Sequence, residues 1–319
     1  MGASVKPFSE QDFYNDIRMT AVGLNAPFSA TTTRTVLDTF ADSFRVGATL
    51  WKTTGRPRDQ LCYRFFARSQ EDTINIARRA GLLGETDSAA LISNWTDAYG
   101  TAATQSCDFD AVNGLAKTWL YLGGMHPSDQ VLGRAFVPET VRRQLRSFHE
   151  VGLDYIRFMA VDHRHHSANI YFRTRGPLTW QRAAEILAVV GVEPPSPQLV
   201  EEIRAFVPED FCVAVTVSLG SGKPERACFY ALKLPPDVFP DIPERIAQFF
   251  EKAPCYDAET VNVVGWSFGP DGGSYIKAER AYNGDLAALL SSWDCYFSGS
   301  TRRDAVLDAA VDEPTRNVG

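Results

Sequence analysis

One order of elements repeats five times along this chain. In each unit, two short runs rich in alternating, β-branched or aromatic residues flank a turn, and helical patterns separate the units. The runs are 48–54 with 60–67, 106–110 with 115–122, 155–161 with 167–173, 212–219 with 226–232, and 262–268 with 275–282. The turns carry the punctuating residues expected of them, such as Gly55-Arg56-Pro57 and Gly269-Pro270-Asp271-Gly272-Gly273. Helical periodicity is read at 9–27, 33–44, 70–83, 138–149, 180–190, 197–206, 242–253 and 285–293.

Hairpins imply antiparallel pairing. Ten strands in an open sheet would leave two exposed edges, and closing the sheet removes them. The expected fold is therefore α+β: a ten-stranded antiparallel β-barrel inside a ring of α-helices. Phe65, Leu120, Ile170, Phe229 and Ile276 would face the helices, leaving the inner face free to be polar. The competing reading is two separate sheets broken between Thr174 and Pro197, where Glu193-Pro194-Pro195-Ser196-Pro197 is rich in proline. Residues 1–300 are expected to form a single barrel domain and 301–319 a flexible tail.

Composition bounds the function. A net charge of −7 argues against broad nucleic-acid binding, and no apolar run is long enough to cross a membrane. The N-terminal stretch has no apolar signal region, so a cytoplasmic protein is expected. The six cysteines, at 62, 107, 212, 228, 255 and 295, form no CxxC pair and read as reduced thiols. There is no nucleotide-binding glycine motif, no GxSxG element and no DDxxD-like segment.

The returning strands carry the chemistry. Alternation offers Arg64, Lys117, Arg226 and Lys277 from four different strands, each with apolar neighbours that would pack outward. These cations are either solvated surface charges or a converging set. A buried converging set repels itself unless an anion compensates it. Arg and Lys, with Asn and Tyr donors, suit phosphate oxygens. Trp51, Trp119, Tyr171, Tyr230 and Tyr275 either fill a core or line a chamber that stacks on a flat molecule and shields a cation. Glu279, two residues from Lys277 on one strand face, is a candidate general base or hydroxyl-orienting carboxylate, or else an ion-pair partner. Arg157 either grips a carboxylate or pairs with Glu279 or an outer charge. His163-Arg164-His165-His166 invites a metal reading, but no partner ligands stand at recognisable spacing.

The segments GATLWKTT (47–54), DQLCYRFFAR (59–68), DFDAVNGLAKTWLYLGG (108–124), IRFMAVDHRHHSANIYFR (156–173), ACFYALK (227–233), NVVGWSFG (262–269) and YIKAERAYNG (275–284) together resemble the ABBA aromatic prenyltransferases. The resemblance is closest to the branch that prenylates the ring of aminocoumarin antibiotics. It implies transfer of an allylic prenyl group, usually dimethylallyl, from its diphosphate to an aromatic carbon. It implies diphosphate contacts at Arg64, Lys117, Asn169, Tyr171, Arg226 and Lys277, and acceptor-facing positions at Arg157 and Glu279, with Trp51 and Trp119 sharing the interior. His163 stands where that branch has Trp, which makes it an acceptor-facing position that bears on acceptor identity. Magnesium-dependent relatives carry Asp in place of Cys62 and a small residue in place of Arg64. The Arg64 guanidinium is thus expected to replace a metal, and no cofactor is expected. The favoured acceptor is 4-hydroxyphenylpyruvate-like. The alternatives are a fused-ring acceptor such as a dihydroxynaphthalene or phenazine, a longer donor, or a non-catalytic barrel that binds an aromatic anion. A monomer is expected, because a closed barrel has no edge to cover.

Overall fold

The computed structural model describes residues 6–234, 237–270 and 272–293. Its centre is a closed antiparallel barrel of ten strands: β1 (Ala48–Thr54), β2 (Cys62–Phe66), β3 (Thr104–Asp110), β4 (Gly114–Pro127), β5 (Tyr155–Asp162), β6 (Ser167–Thr174), β7 (Phe211–Ser218), β8 (Pro224–Ala231), β9 (Asn262–Phe268) and β10 (Tyr275–Asn283). Each strand pairs with its sequence neighbours, and β1 pairs with β10 to close the ring. The two-sheet alternative is excluded. β6 and β7, which flank the proline-rich stretch, pair in unbroken register from Ser167↔Ser218 to Thr174↔Phe211.

Helices α1 (Glu10–Gly23), α2 (Ala30–Thr39) and α3 (Ala41–Val46) precede the barrel. Then come α4 (Thr73–Arg79), α5 (Asp87–Tyr99), α6 (Ser128–Leu132), α7 (Glu139–Arg142), α8 (Leu145–Glu150), α9 (Trp180–Val189), α10 (Pro197–Phe206), α11 (Glu244–Lys252) and α12 (Leu286–Ser292). Ser9, Ser29, Thr86, Thr179 and Ser196 each accept a first-turn N–H, which fixes where five of these helices begin. The sequence reading passed over α5, although Thr86 caps it and Leu91, Ile92 and Trp95 form a buried stripe. The expected helix at 138–149 is two short ones. β4 runs beyond its expected end because Gly123, at φ +81, forms a bulge rather than a stop. A Cβ there would meet the Ala102 Cβ at 2.4 Å. The expected tail lies outside the described residues.

Two apolar regions result. Phe65, Leu120, Ile170 and Phe229 are buried between barrel and helices, with Ile276 packed against them. A second cluster lies inside the barrel, where Leu50, Phe66, Ala214, Tyr230, Val263 and Ala281 meet Leu286 and Leu289 of α12. All five hairpin turns fall at one end of the barrel, since every strand pair reverses there. α12 plugs the other end. The lumen is therefore a cup with an apolar floor.

Trp51 corrects the sequence reading. It is fully buried on the outer face, stacked on Phe13 of α1 at 5.3 Å and edge-on to Tyr282 at 4.7 Å, with its indole N–H donated to the Pro254 carbonyl at 3.1 Å. It lies opposite Tyr63, another outward residue. Trp51→Ala is expected to lower stability by about 3–5 kcal/mol in denaturant unfolding. Turnover per folded molecule should stay near that of the parent. Lost turnover at unchanged stability would put the indole in the lumen instead.

Candidate active site

Above the apolar floor lies a cavity of about 360 Å³, walled by side chains of nine strands, β1 to β8 and β10, and by the hairpin turns. Seven cations and six carboxylates line it. The sequence reading expected a shell of uncompensated cations, and the carboxylates change that picture.

The wall from β1 to β5 neutralises itself. In the pairing register Arg64 lies opposite Asp108, Asp108 opposite Lys117, and Lys117 opposite Asp162. Opposite charges thus alternate across four neighbouring strands, the arrangement that stabilises cross-strand pairs. Asp108, 1% exposed, accepts from Arg64 Nε and Nη2 and from Lys52 Nζ. Burial works to raise the Asp108 carboxyl, but the Arg64 and Lys52 charges overcome it and hold it well below the usual carboxylate range. Burial also opposes the charge on Lys52, yet Asp108 leaves its pKa raised. Lys117 Nζ lies 3.1 Å from Asp162 Oδ2. Against burial, that ammonium and the His165 donors bring Asp162 down to about 2. Burial, reinforced by the Lys52 and Lys277 charges, lowers Lys117 despite Asp162. At the rim, Arg164 bonds Asp110, whose Oδ1 also caps the turn at the Val112 N–H.

The wall from β6 to β10 differs. Arg226 and Lys277 form no ion pair with a described residue. Arg226 lies 5.3 Å and Lys277 5.6 Å from the Tyr275 ring centre, and the Arg226 Nε is buried without a partner. Burial would raise the Tyr275 phenol, but Lys277 and Arg226 bring it below its ordinary value. Asn169 accepts from the Thr216 hydroxyl at 2.9 Å, and its amide nitrogen is buried without a partner. This is a polar surface with spare donors.

Aromatic rings separate these walls from the floor. Trp119 and Tyr171 lie 4.4 Å apart, and Tyr230 is 6.1 Å beyond Tyr171. Burial pushes both phenols well up, so they remain neutral O–H donors at neutral pH. Arg64 stacks over Trp119 at 3.8 Å, and its Nη2 is 3.5 Å from Glu279 Oε1. Glu279 thus sits between the cationic wall and the aromatic layer.

Of the residues singled out from sequence, Arg64, Lys117, Trp119, Asn169, Tyr171, Arg226, Lys277 and Glu279 meet in this chamber. Trp51 does not, as described above. His163 does not either. It follows the last residue of β5 and turns outward, where its ring bonds Ser88 of α5 at 3.1 Å and Thr118 at 3.0 Å. It cannot face an acceptor in the lumen. Arg157 lines no part of the chamber. A register shift between Ile156 and Phe158 redirects it toward α12, where it donates to the Trp293 carbonyl. Lys52, Asp108, Asp110, Asp162 and Arg164 were not singled out from sequence. Alternation from the outward Phe109 would have found Asp108 and Asp110.

The histidines do not converge, since His165 bonds Asp162 while His163 points away. Among the described residues no three His, Cys, Asp or Glu side chains are placed to hold a metal ion. Burial pushes the Cys62 thiol up to about 12, which keeps it protonated where a metal site would need an anion. Cys62, Cys107, Cys228 and Cys255 are free thiols, and no described helix is long and apolar enough to cross a membrane.

A closed barrel of hairpins enclosing a charged and aromatic chamber is an architecture shared with known enzymes. The family described as aromatic prenyltransferase Orf2 matches residues 8–294, and the chain belongs to that family. It is an aromatic prenyltransferase. Over 306 residues it is 48% identical to a 4-hydroxyphenylpyruvate 3-dimethylallyltransferase of Streptomyces niveus, covering 96% of this chain and 94% of that protein. It is 42% identical to an aromatic prenyltransferase of Sclerotinia sclerotiorum, covering 90% and 94%. The crystal structure of NotF in complex with brevianamide F and DMSPP shares the fold, with a TM-score of 0.53 at 11% identity over 88% of this chain and 97% of that one.

Burial holds the His163 imidazole down to about 4, below its ordinary 6.5. Its folded form is therefore neutral, and the unfolded chain binds the extra proton. The resulting stability is complete above pH 6.5 and is lost as the pH falls toward 4. His163→Gln should remove a loss of roughly 2 kcal/mol from acid unfolding curves in that window. Identical pH dependence of parent and variant would contradict the outward, half-buried placement.

Proposed function

We propose that the protein transfers a dimethylallyl group from dimethylallyl diphosphate to a ring carbon of a phenolic acceptor of the 4-hydroxyphenylpyruvate kind, by electrophilic substitution without a metal ion. The observation that carries this reading is the pair Arg226 and Lys277. Among the described residues they are two cations without ion partners, beside the spare Asn169 donor and facing a wall whose charges are already matched. A diphosphate supplies the missing anion. As its bond to the allyl carbon breaks, charge grows on the leaving oxygens, and donors fixed in a water-poor cup stabilise that charge. The Trp119, Tyr171 and Tyr230 rings flank the allyl cation. The acceptor ring attacks it, and Glu279 receives the proton the ring loses.

This reading changes the role expected of Arg64. Held by Asp108 and stacked on Trp119, it contributes a fixed positive field at the base of the donor site rather than a hand free for phosphate. Because Arg157 reaches the Trp293 carbonyl, the acceptor is oriented by Glu279 and the aromatic layer. The size of the cavity suits a five-carbon donor beside one aromatic ring. We read the molecule as one barrel domain acting as a monomer, since closure leaves no strand edge for a second copy. Free thiols at Cys62, Cys107, Cys228 and Cys255 suit a cytoplasmic setting.

Incubation with dimethylallyl diphosphate and a panel of acceptors, read by mass spectrometry, tests the reaction. The panel holds 4-hydroxyphenylpyruvate, a dihydroxynaphthalene and a phenazine carboxylate. A one-prenyl product with 4-hydroxyphenylpyruvate is expected. A product only with a fused-ring acceptor would reassign the acceptor, and both substrates retained unchanged would make the barrel a binder. Arg226→Gln and Lys277→Gln should each raise the donor KM about 10- to 100-fold, the scale of one charge-assisted hydrogen bond. Glu279→Gln should lower kcat while leaving the donor KM near that of the parent. Unchanged kcat would remove Glu279 from the chemistry.

A further inference from the structure

Asp162 has two separate tasks. Its Oδ1 accepts the backbone N–H groups of Arg164 at 3.1 Å and His165 at 2.9 Å and so holds the turn between β5 and β6. Its Oδ2 faces the chamber and holds Lys117 Nζ at 3.1 Å. The chamber's other inward carboxylate pair is built differently. Asp108 is gripped through both oxygens by Arg64, whose side chain is 3% exposed, whereas the Lys117 side chain is 24% exposed on a flexible stem. Lys117 also lies near the wall with spare donors. Asp162 pairs with Ser167 on β6, two residues from Asn169, and the charge of Lys277 is felt at Lys117.

We infer that Asp162 is a positioning residue that exchanges Lys117 with the diphosphate. It holds the ammonium in the free enzyme, gives it up to the bound phosphate oxygens, and takes it back so that pyrophosphate can leave. This inference rests on the donor site proposed above. The physical need is clear from the chemistry. The leaving group carries more negative charge after transfer than before, so a chamber that only attracts anions would be inhibited by its own product. A competing carboxylate within reach of one mobile cation weakens the grip on the product without removing the cation from the reaction.

Asp162→Asn separates the tasks, because the amide oxygen can still accept the two turn N–H groups while the charge on Lys117's partner is gone. Binding of inorganic pyrophosphate, measured by calorimetry on the full chain, should be about tenfold tighter in this variant than in the parent. Product inhibition by pyrophosphate should strengthen by a similar factor. On a Lys117→Gln background the same substitution should have little effect. A gain that persists in full on that background would make Asp162 a plain repulsive charge and overturn the exchange. Affinity that is unchanged or weaker, with an unaltered thermal melt, would overturn it too. If Asp162→Asn does not fold, a structure of the parent with pyrophosphate decides. Lys117 on a phosphate oxygen and away from Asp162 is expected, and Lys117 still on Asp162 contradicts the exchange. A parent that binds no pyrophosphate at all would sink the proposed donor site itself, whereas binding insensitive to Asp162 would sink only this inference.

Discussion

The antiparallel register of β2 to β5 sets Arg64, Asp108, Lys117 and Asp162 directly across from one another, and the rest of the chamber depends on that row. Charges buried singly in a barrel would cost several kcal/mol each. Alternated across four strands, they satisfy each other and let the wall stay both polar and folded. The closure of β1 on β10 completes the arrangement, because it brings Lys52 and Glu279 opposite each other and delivers both to the same cup.

Against this balanced wall, the opposite one is distinguished by what it leaves spare. Arg226, Lys277 and the Asn169 amide present donors that no described carboxylate uses. In the proposed function, affinity for an anion arises from a local surplus on this wall, not from a high total of positive charge. The aromatic layer beneath does the complementary work. Its rings exclude water from the region where an allyl cation would form, and α12 seals the floor behind it.

Much of this was legible in the sequence. Each returning strand begins just after a turn, and its apolar neighbours mark the outward face. Period-two alternation thus places Arg64, Lys117, Asn169, Arg226 and Lys277 inward. The outgoing strands were harder. Trp51 looked like a lumen aromatic, and only its pairing with the outward Tyr63 reveals its side. Asp108 and Asp162 gain their meaning from register, which no single strand carries. His163 belongs to a turn, where alternation ends, and Arg157 sits at a register shift, where it fails.

In the proposed function the chamber's own cations suffice to bind the donor. Calorimetric titration of the full chain with dimethylallyl diphosphate, in EDTA and then in excess magnesium, tests that claim directly. Equal affinity in the two conditions is the result predicted. Binding that emerges only with magnesium would show that Arg226, Lys277 and their neighbours do not form the anion site unaided.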